Sequence, residues 1–224
     1  MRHDFVDLIG ELEESLANIC LPITEIIGGG GGEAKMTQRL RRGLTAMKWA
    51  KHNFQLTKIV DGLAKESISH EIDHVRRSER GVVAFEIEWN NKDPFFDRDL
   101  ENFKRLHAEG AISVGGIVTR GSAMQAGMRE KVEKFAADRC ISNFDDLLEF
   151  GAGSPTLPQR RQIEADIGRG ASFAQAWARK FTSDKFGMAT THWNKLQDRI
   201  SRGVGNPCPL VLIGLPESII DMRA

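Results

Sequence analysis

EIDHV at 71–75, GVVAFEIEW at 81–89 and NNKDPFFDRDLENFKRL at 90–106 follow one another with one short polar turn between the first two, and their reading decides the fold. Val82, Val83, Ala84 and Phe85 form the apolar run of a buried strand, which leads straight into Glu86, Ile87, Glu88 and Trp89. Side chains alternate along a strand, so Glu86 and Glu88 share one face. A hairpin through Arg77, Ser78, Glu79, Arg80 and Gly81 would bring Asp73 beside them. Both faces of the strand read as buried until the acids arrive. Three carboxylates converging at the end of an apolar core are costly unless a positive charge neutralises them, and a divalent cation does so most directly.

Working outward, Pro94 opens a helix through Phe95, Leu100, Phe103 and Leu106 that Gly110 ends, and AISVGGIVT at 111–119 is a further buried strand. Strand, helix, strand in that order is a crossover, so the expected fold class is α/β with a mixed central β-sheet flanked by helices. Phe5, Leu8, Ile9, Leu12, Leu16 and Ile19 keep helical spacing up to Pro22; residues 33–46 read as a helix and 54–61 as a strand. Glu66, a weaker fourth acid, is expected on a helix or loop between that strand and the EIDHV strand. Residues 128–150 are expected to be mostly helix, 162–181 a helix broken at 168–170, and 185–200 a polar turn entering a helix before the strand PLVLIG. Five consecutive glycines at 28–32 lack the lysine and hydroxyl of a phosphate-binding loop and the flanking strand of a dinucleotide motif, so a flexible loop or a close approach of backbone to a ligand such as a DNA phosphate is expected there.

With 224 residues the chain fits one domain, 1–224, and its 31 acids against 31 bases give no whole-molecule attraction to a polyanion. Charge is uneven locally. Arg39, Arg41, Arg42, Lys48, Lys51 and Lys58 form one basic region, and Arg160, Arg161, Arg169, Arg179, Lys180 and Lys185 another, compatible with a nucleic-acid groove or with solvated helix faces. Cys20, Cys140 and Cys208 are too widely spaced for a disulfide framework or a structural zinc site. No basic and apolar leader opens the chain, and no segment approaches the ~18 apolar residues of a membrane span. A cytoplasmic protein with no membrane partner is the expectation.

For phosphodiester hydrolysis a cation neutralises the phosphorane-like charge, helps water to ionise and steadies the leaving 3′ oxygen. Asp73 and Glu86, with the backbone carbonyl of Ile87, are the expected metal ligands, and Glu88 would orient or deprotonate the attacking water. The expected catalytic set is therefore Asp73, Glu86 and Glu88. His70 and His74 flank Asp73 but, four apart on a strand, share a face only roughly; they suit a carboxylate or DNA phosphate better than zinc.

The order EIDHV, FEIEWNNKD, FFDRDL and then a helix before AISVGGIVTRG resembles the BglII-like restriction endonucleases of the PD-(D/E)XK superfamily. GGGGGEAKMTQRLRRGL, TTHWNKL and PCPLVLIG extend the likeness over most of the chain. The resemblance implies a PD-(D/E)XK restriction endonuclease-like fold and a type II restriction enzyme: a Mg²⁺-dependent homodimer that cuts double-stranded DNA at a short palindrome and pairs functionally with a DNA methyltransferase. It matches Asp73 and Glu86 to metal-binding acids, Glu88 to a position that varies among Glu, Gln and Lys, and Asn91 to a DNA-contacting asparagine. Thr119, Arg120 and Ser122 end a strand beside the acids, and Thr190, Thr191 and His192 begin a helix, where hydroxyls and N–H groups suit phosphates or base edges. Arg120, whose fork matches guanine O6 and N7, is the leading candidate for base reading, while Gln38, Arg39 and Arg41 are expected on the DNA backbone. The dimer interface is open between the 95–109 helix and the N-terminal helix. Two other readings stand beside this one: a repair or structure-specific nuclease of the same fold, and a non-catalytic DNA-binding module.

Overall fold

The computed structural model describes residues 4–29 and 32–223. Gly30 and Gly31, the middle of the expected glycine loop, lie outside the described residues. In chain order come α1 (Val6–Ala17), β1 (Leu21–Pro22), α2 (Ile23–Ile27), α3 (Lys35–Ala46), β2 (Ala50–Val60), β3 (Leu63–Ser78), β4 (Gly81–Glu88), α4 (Phe95–Ala108) and β5 (Val114–Arg120). Then follow α5 (Ser122–Asp138), α6 (Phe144–Glu149), α7 (Leu157–Gly168), α8 (Phe173–Lys185), α9 (Trp193–Ser201), β6 (Leu210–Leu215) and β7 (Ile220–Asp221).

The main sheet has the order β2-β3-β4-β5-β6, antiparallel from β2 to β4 and parallel from β4 to β6. This is the mixed sheet expected from the crossover. Val83, Phe85 and Val118 on one face pack with Leu40 of α3, Phe135 of α5 and Trp177 of α8. Ala84 and Ile117 on the other pack with Phe96, Leu100, Phe103 and Leu106 of α4 and Leu196 of α9. Each large side chain so buried contributes roughly 1.5–3 kcal/mol. Gly115 sets how closely α4 lies on the sheet, because a Cβ there would stand 2.6 Å from the Phe103 ring. Among the described residues no helix is long and apolar enough to cross a membrane.

One expectation fails instructively. Glu66 is neither on a helix nor in a loop: it lies on β3 opposite Lys58. Asp61 and Gly62 both have positive φ, 52° and 78°, the conformation of a two-residue hairpin turn, so β2 and β3 form one long arm. The expected 54–61 strand is the outer half of that arm, and its partner starts at Leu63.

Candidate active site

Between the pairs Ala50↔Val75 and His52↔Ile72, β2 advances two residues while β3 advances three, so β3 carries an extra residue at Asp73 or His74. Such a bulge breaks the alternation of faces. Ile72 belongs to the α4 face, while His74, two positions on, stands opposite Phe85 on the other face. The backbone N–H of Asp73, released from regular pairing, points at Glu86 with 3.4 Å to Oε1. The hairpin at 77–81 forms as expected, Ser78 pairing with Gly81. His70 stands opposite Phe54 and His74 opposite Phe85, so the bulge sends the two imidazoles to different faces. Burial lowers the pKa of His74, and its Nδ1 lies 3.3 Å from the Phe85 carbonyl oxygen.

Glu86 and Glu88 lie on the α4 face of β4, 4% and 2% exposed, where α4 adds Asp99 at 1%. Burial, reinforced by Asp99, Asp73 and Glu88, pushes the Glu86 carboxyl well above its ordinary range. Burial first, then Asp99, pushes Glu88 up to about 8. Burial pushes Asp99 up as well, against the pull of the Arg98 guanidinium beside it. The Asn91 amide donates to Glu88 Oε2 at 2.8 Å, and Arg98 Nη2 lies 3.6 Å from Oε1. Asp73 is more open and stands 3.7 Å from Lys51, which also pairs with Glu71 at 2.6 Å. Asp99 was not singled out from the sequence. The signal was present: it falls three residues after Phe96 and four before Phe103, on the apolar stripe of its helix.

The raised Glu88 has a consequence for stability. With a folded pKa of about 8 against an ordinary 4.5, the folded state keeps a proton that the unfolded chain releases. That stabilisation is complete below 4.5 and is lost as pH rises towards 8. The metal-free protein is therefore expected to melt lower at pH 8.5 than at pH 6, by on the order of 3 kcal/mol, or about 5–10 °C. Glu88→Gln should flatten this slope in a melting series; an unchanged slope would mean that other groups cause it.

The residues expected to touch DNA divide by position. Asn91 is exposed and placed by the acids. Its N–H donates to Thr191 Oγ1 and its carbonyl accepts from the Thr191 N–H, while Lys92 bridges to Thr190, so the 90–93 and 189–192 segments form one seam. Thr191 and His192 are buried in it, and the two His192 ring nitrogens have no partner. Thr119 is opposite Glu88 and its buried hydroxyl is unpartnered, whereas Ser122 opens α5 at the surface. Arg39 is committed to Glu25 at 2.7 Å and to the Cys20 carbonyl, and Gln38 to the Glu33 carbonyl. Arg41 pairs with Glu33 at 2.9 Å but keeps 53% of its side chain exposed.

Arg120 is placed differently from the base-reading expectation. It is fully buried, donating to Asn90 Oδ1 at 2.6 Å and to Thr190 Oγ1 and the Thr191 carbonyl at 2.8 Å each. Its guanidinium also lies over Phe186 at 4.9 Å. The side chain follows Val118 onto the helix-packed face and spends its fork on the seam, so contact with a guanine would require those bonds to break.

Among the described residues no three His, Cys, Asp or Glu side chains stand close enough to enclose an ion between them. A magnesium-like cation does not need such an enclosure, because it takes one or two carboxylates and completes its shell with water and substrate phosphate. The donor chemistry fits. Glu86 is buried with only a long contact to an N–H group, and Asp99 Oδ2 is buried with no partner.

The family model for Restriction endonuclease BglII/BglIII matches residues 1–215, nearly the whole chain. No curated protein matches it.

Proposed function

This chain belongs to the BglII/BglIII restriction endonuclease family and is a type II site-specific deoxyribonuclease; on that premise we propose that its acid cluster is a Mg²⁺-dependent cleavage centre acting at a short palindrome in double-stranded DNA. The observation that carries this reading is the convergence of the accessible Asp73, facing Glu86 across the β3–β4 hairpin, with the buried Glu86 and Glu88 at the end of the sheet. Asp73 and Glu86, with the Ile87 carbonyl, would hold the cation. When bound, it supplies charge neutralisation at the phosphate and acidifies water.

Hydrolysis joins a water oxygen to phosphorus and breaks the bond to the 3′ oxygen, which takes a proton from solvent, leaving a 5′ phosphate and a 3′ hydroxyl. Glu88, once ionised, orients the water and takes its proton; a pKa raised towards working pH suits a general base. Asn91 holds Glu88 in place through its amide. Arg41 is the exposed cation of the three expected on α3 and suits a backbone phosphate. Ser122, at the surface end of β5, suits recognition better than the buried Arg120. Each chain holds one acid cluster, so a homodimer of single-domain subunits matches two cuts with the two-fold symmetry of the site. The enzyme acts in the cytoplasm beside a DNA methyltransferase that protects the host.

Incubation of the purified protein with phage DNA and Mg²⁺, alongside EDTA and Glu86→Gln controls, tests the proposal. Discrete fragments, lost in both controls, are expected. A smear would favour a structure-specific or unspecific nuclease. Intact DNA with folded protein would sink the catalytic reading and favour a binding module.

A further inference from the structure

The acid cluster carries more negative groups than its described cations neutralise individually. Asp73, Glu86, Glu88 and Asp99 meet there, and Lys51 is shared between Asp73 and Glu71 at the outer rim. The cation at the buried pair is Arg98, in the first turn of α4. Its Nε donates to Asp99 Oδ1 at 2.8 Å, Nη2 approaches the same oxygen at 2.7 Å, and Nη2 stands 3.6 Å from Glu88 Oε1. The face of the guanidinium lies 4.4 Å from the centre of the Phe95 ring. Asp99 and Glu88 are 1% and 3% exposed at their side chains, but Arg98 is 52% exposed. Among the described residues Nη1 has no partner.

We propose that Arg98, anchored by Asp99, is a catalytic residue of this nuclease, donating from its free edge to a non-bridging oxygen of the phosphate under attack. The inference rests on the acid cluster being the cleavage centre. A guanidinium held along one edge by a buried carboxylate and along one face by an aromatic ring has little rotational freedom left to lose when substrate arrives. Such fixed donors are what stabilise charge that develops in a transition state, and the planar fork suits phosphate. Asp99 is then a positioning residue. Its place on the buried stripe of α4 makes it immobile, and its commitment through one oxygen turns the outer edge of Arg98 away from the core.

The test uses a phage DNA fragment that the parent enzyme cuts once. Arg98→Ala is expected to lower the single-turnover rate with Mg²⁺ by about 10²-fold or more. Its binding to the same fragment with Ca²⁺ should stay within about threefold of the parent, by the same reasoning that the donor acts mainly in the transition state. Methylguanidine added to Arg98→Ala should restore part of the rate and should do nothing for Glu86→Gln, a readout that a bridge serving only the fold would not give. Asp99→Asn should lower the rate with DNA binding intact. If the alanine variant fails to fold, Arg98→Gln, which keeps the stem over Phe95, takes its place and should show the same rate loss. An Arg98 variant that is folded and cuts within about fivefold of the parent overturns the inference, as does a rate loss explained wholly by weaker binding. A parent that cuts no DNA would instead remove the underlying reading of the acid cluster.

Discussion

Glu86→Gln is expected to lower the single-turnover cleavage rate by about 10³-fold or more while leaving the fold intact. The substitution keeps the shape of the side chain and removes only its charge. Glu86 is 4% exposed, and among the described residues its one hydrogen bond is the 3.4 Å contact from the Asp73 N–H, so little packing or pairing is lost. The cation that it would share with Asp73 stabilises transition-state charge by several kcal/mol, and each 1.36 kcal/mol is a factor of ten. Because burial first, then Asp99 and Asp73, oppose ionisation of Glu86, the neutral amide should also remove the cost of ionising this position in the metal-free protein as pH rises. Cleavage of phage DNA, melting temperature without metal and the Mg²⁺ concentration giving half-maximal rate measure the three consequences. A Glu86→Gln enzyme with near-parental cleavage would show that the chemistry takes place elsewhere.

Arg120→Met should destabilise the protein by about 2–4 kcal/mol, and the reason separates two roles for this residue. Burial lowers the Arg120 pKa to about 9, so keeping its charge at neutral pH is itself unfavourable. Methionine removes that cost and fills similar space. It also strands Asn90 Oδ1 and the Thr191 carbonyl, and an unsatisfied buried acceptor costs about 1–3 kcal/mol. Loss of the acceptors' partner outweighs relief of the charge. The seam between 90–93 and 189–192 should loosen, carrying Asn91 away from Glu88. A lower melting temperature with slower cleavage at an unchanged site is therefore expected from calorimetry and digestion together. Full stability with relaxed choice at one base pair would instead restore Arg120 as a reader of guanine.

The acids at 73, 86 and 88 were legible because strand alternation and the short turn at 77–81 are local properties. The long arm was legible too, in Val-Asp-Gly-Leu at 60–63, since Asp-Gly between apolar residues is a strong hairpin signal. Glu66, expected on a helix or loop, therefore falls on the second strand of that arm. Asp99 was hidden by its company: in DRDL it looks like one more surface acid, and only counting along the helix puts it on the stripe of Phe96 and Phe103.

By itself, then, the sequence determined the mixed sheet and the face shared by Glu86 and Glu88, because apolar periodicity and turn chemistry act over a few residues, while the order of its motifs carried the family resemblance. Tertiary structure alone decided what those side chains meet. The bulge in β3 exists only as a mismatch with β2, and it leaves the Asp73 N–H free to face Glu86. The pairing of Glu88 with Asp99 depends on how closely α4 lies on the sheet. Arg120 and Arg98 are both arginines next to polar residues in the chain, yet one is sealed beneath the seam and the other stands half-open over the acids. Burial, which separates a structural cation from one that can meet a phosphate, is a property of distant segments packed together.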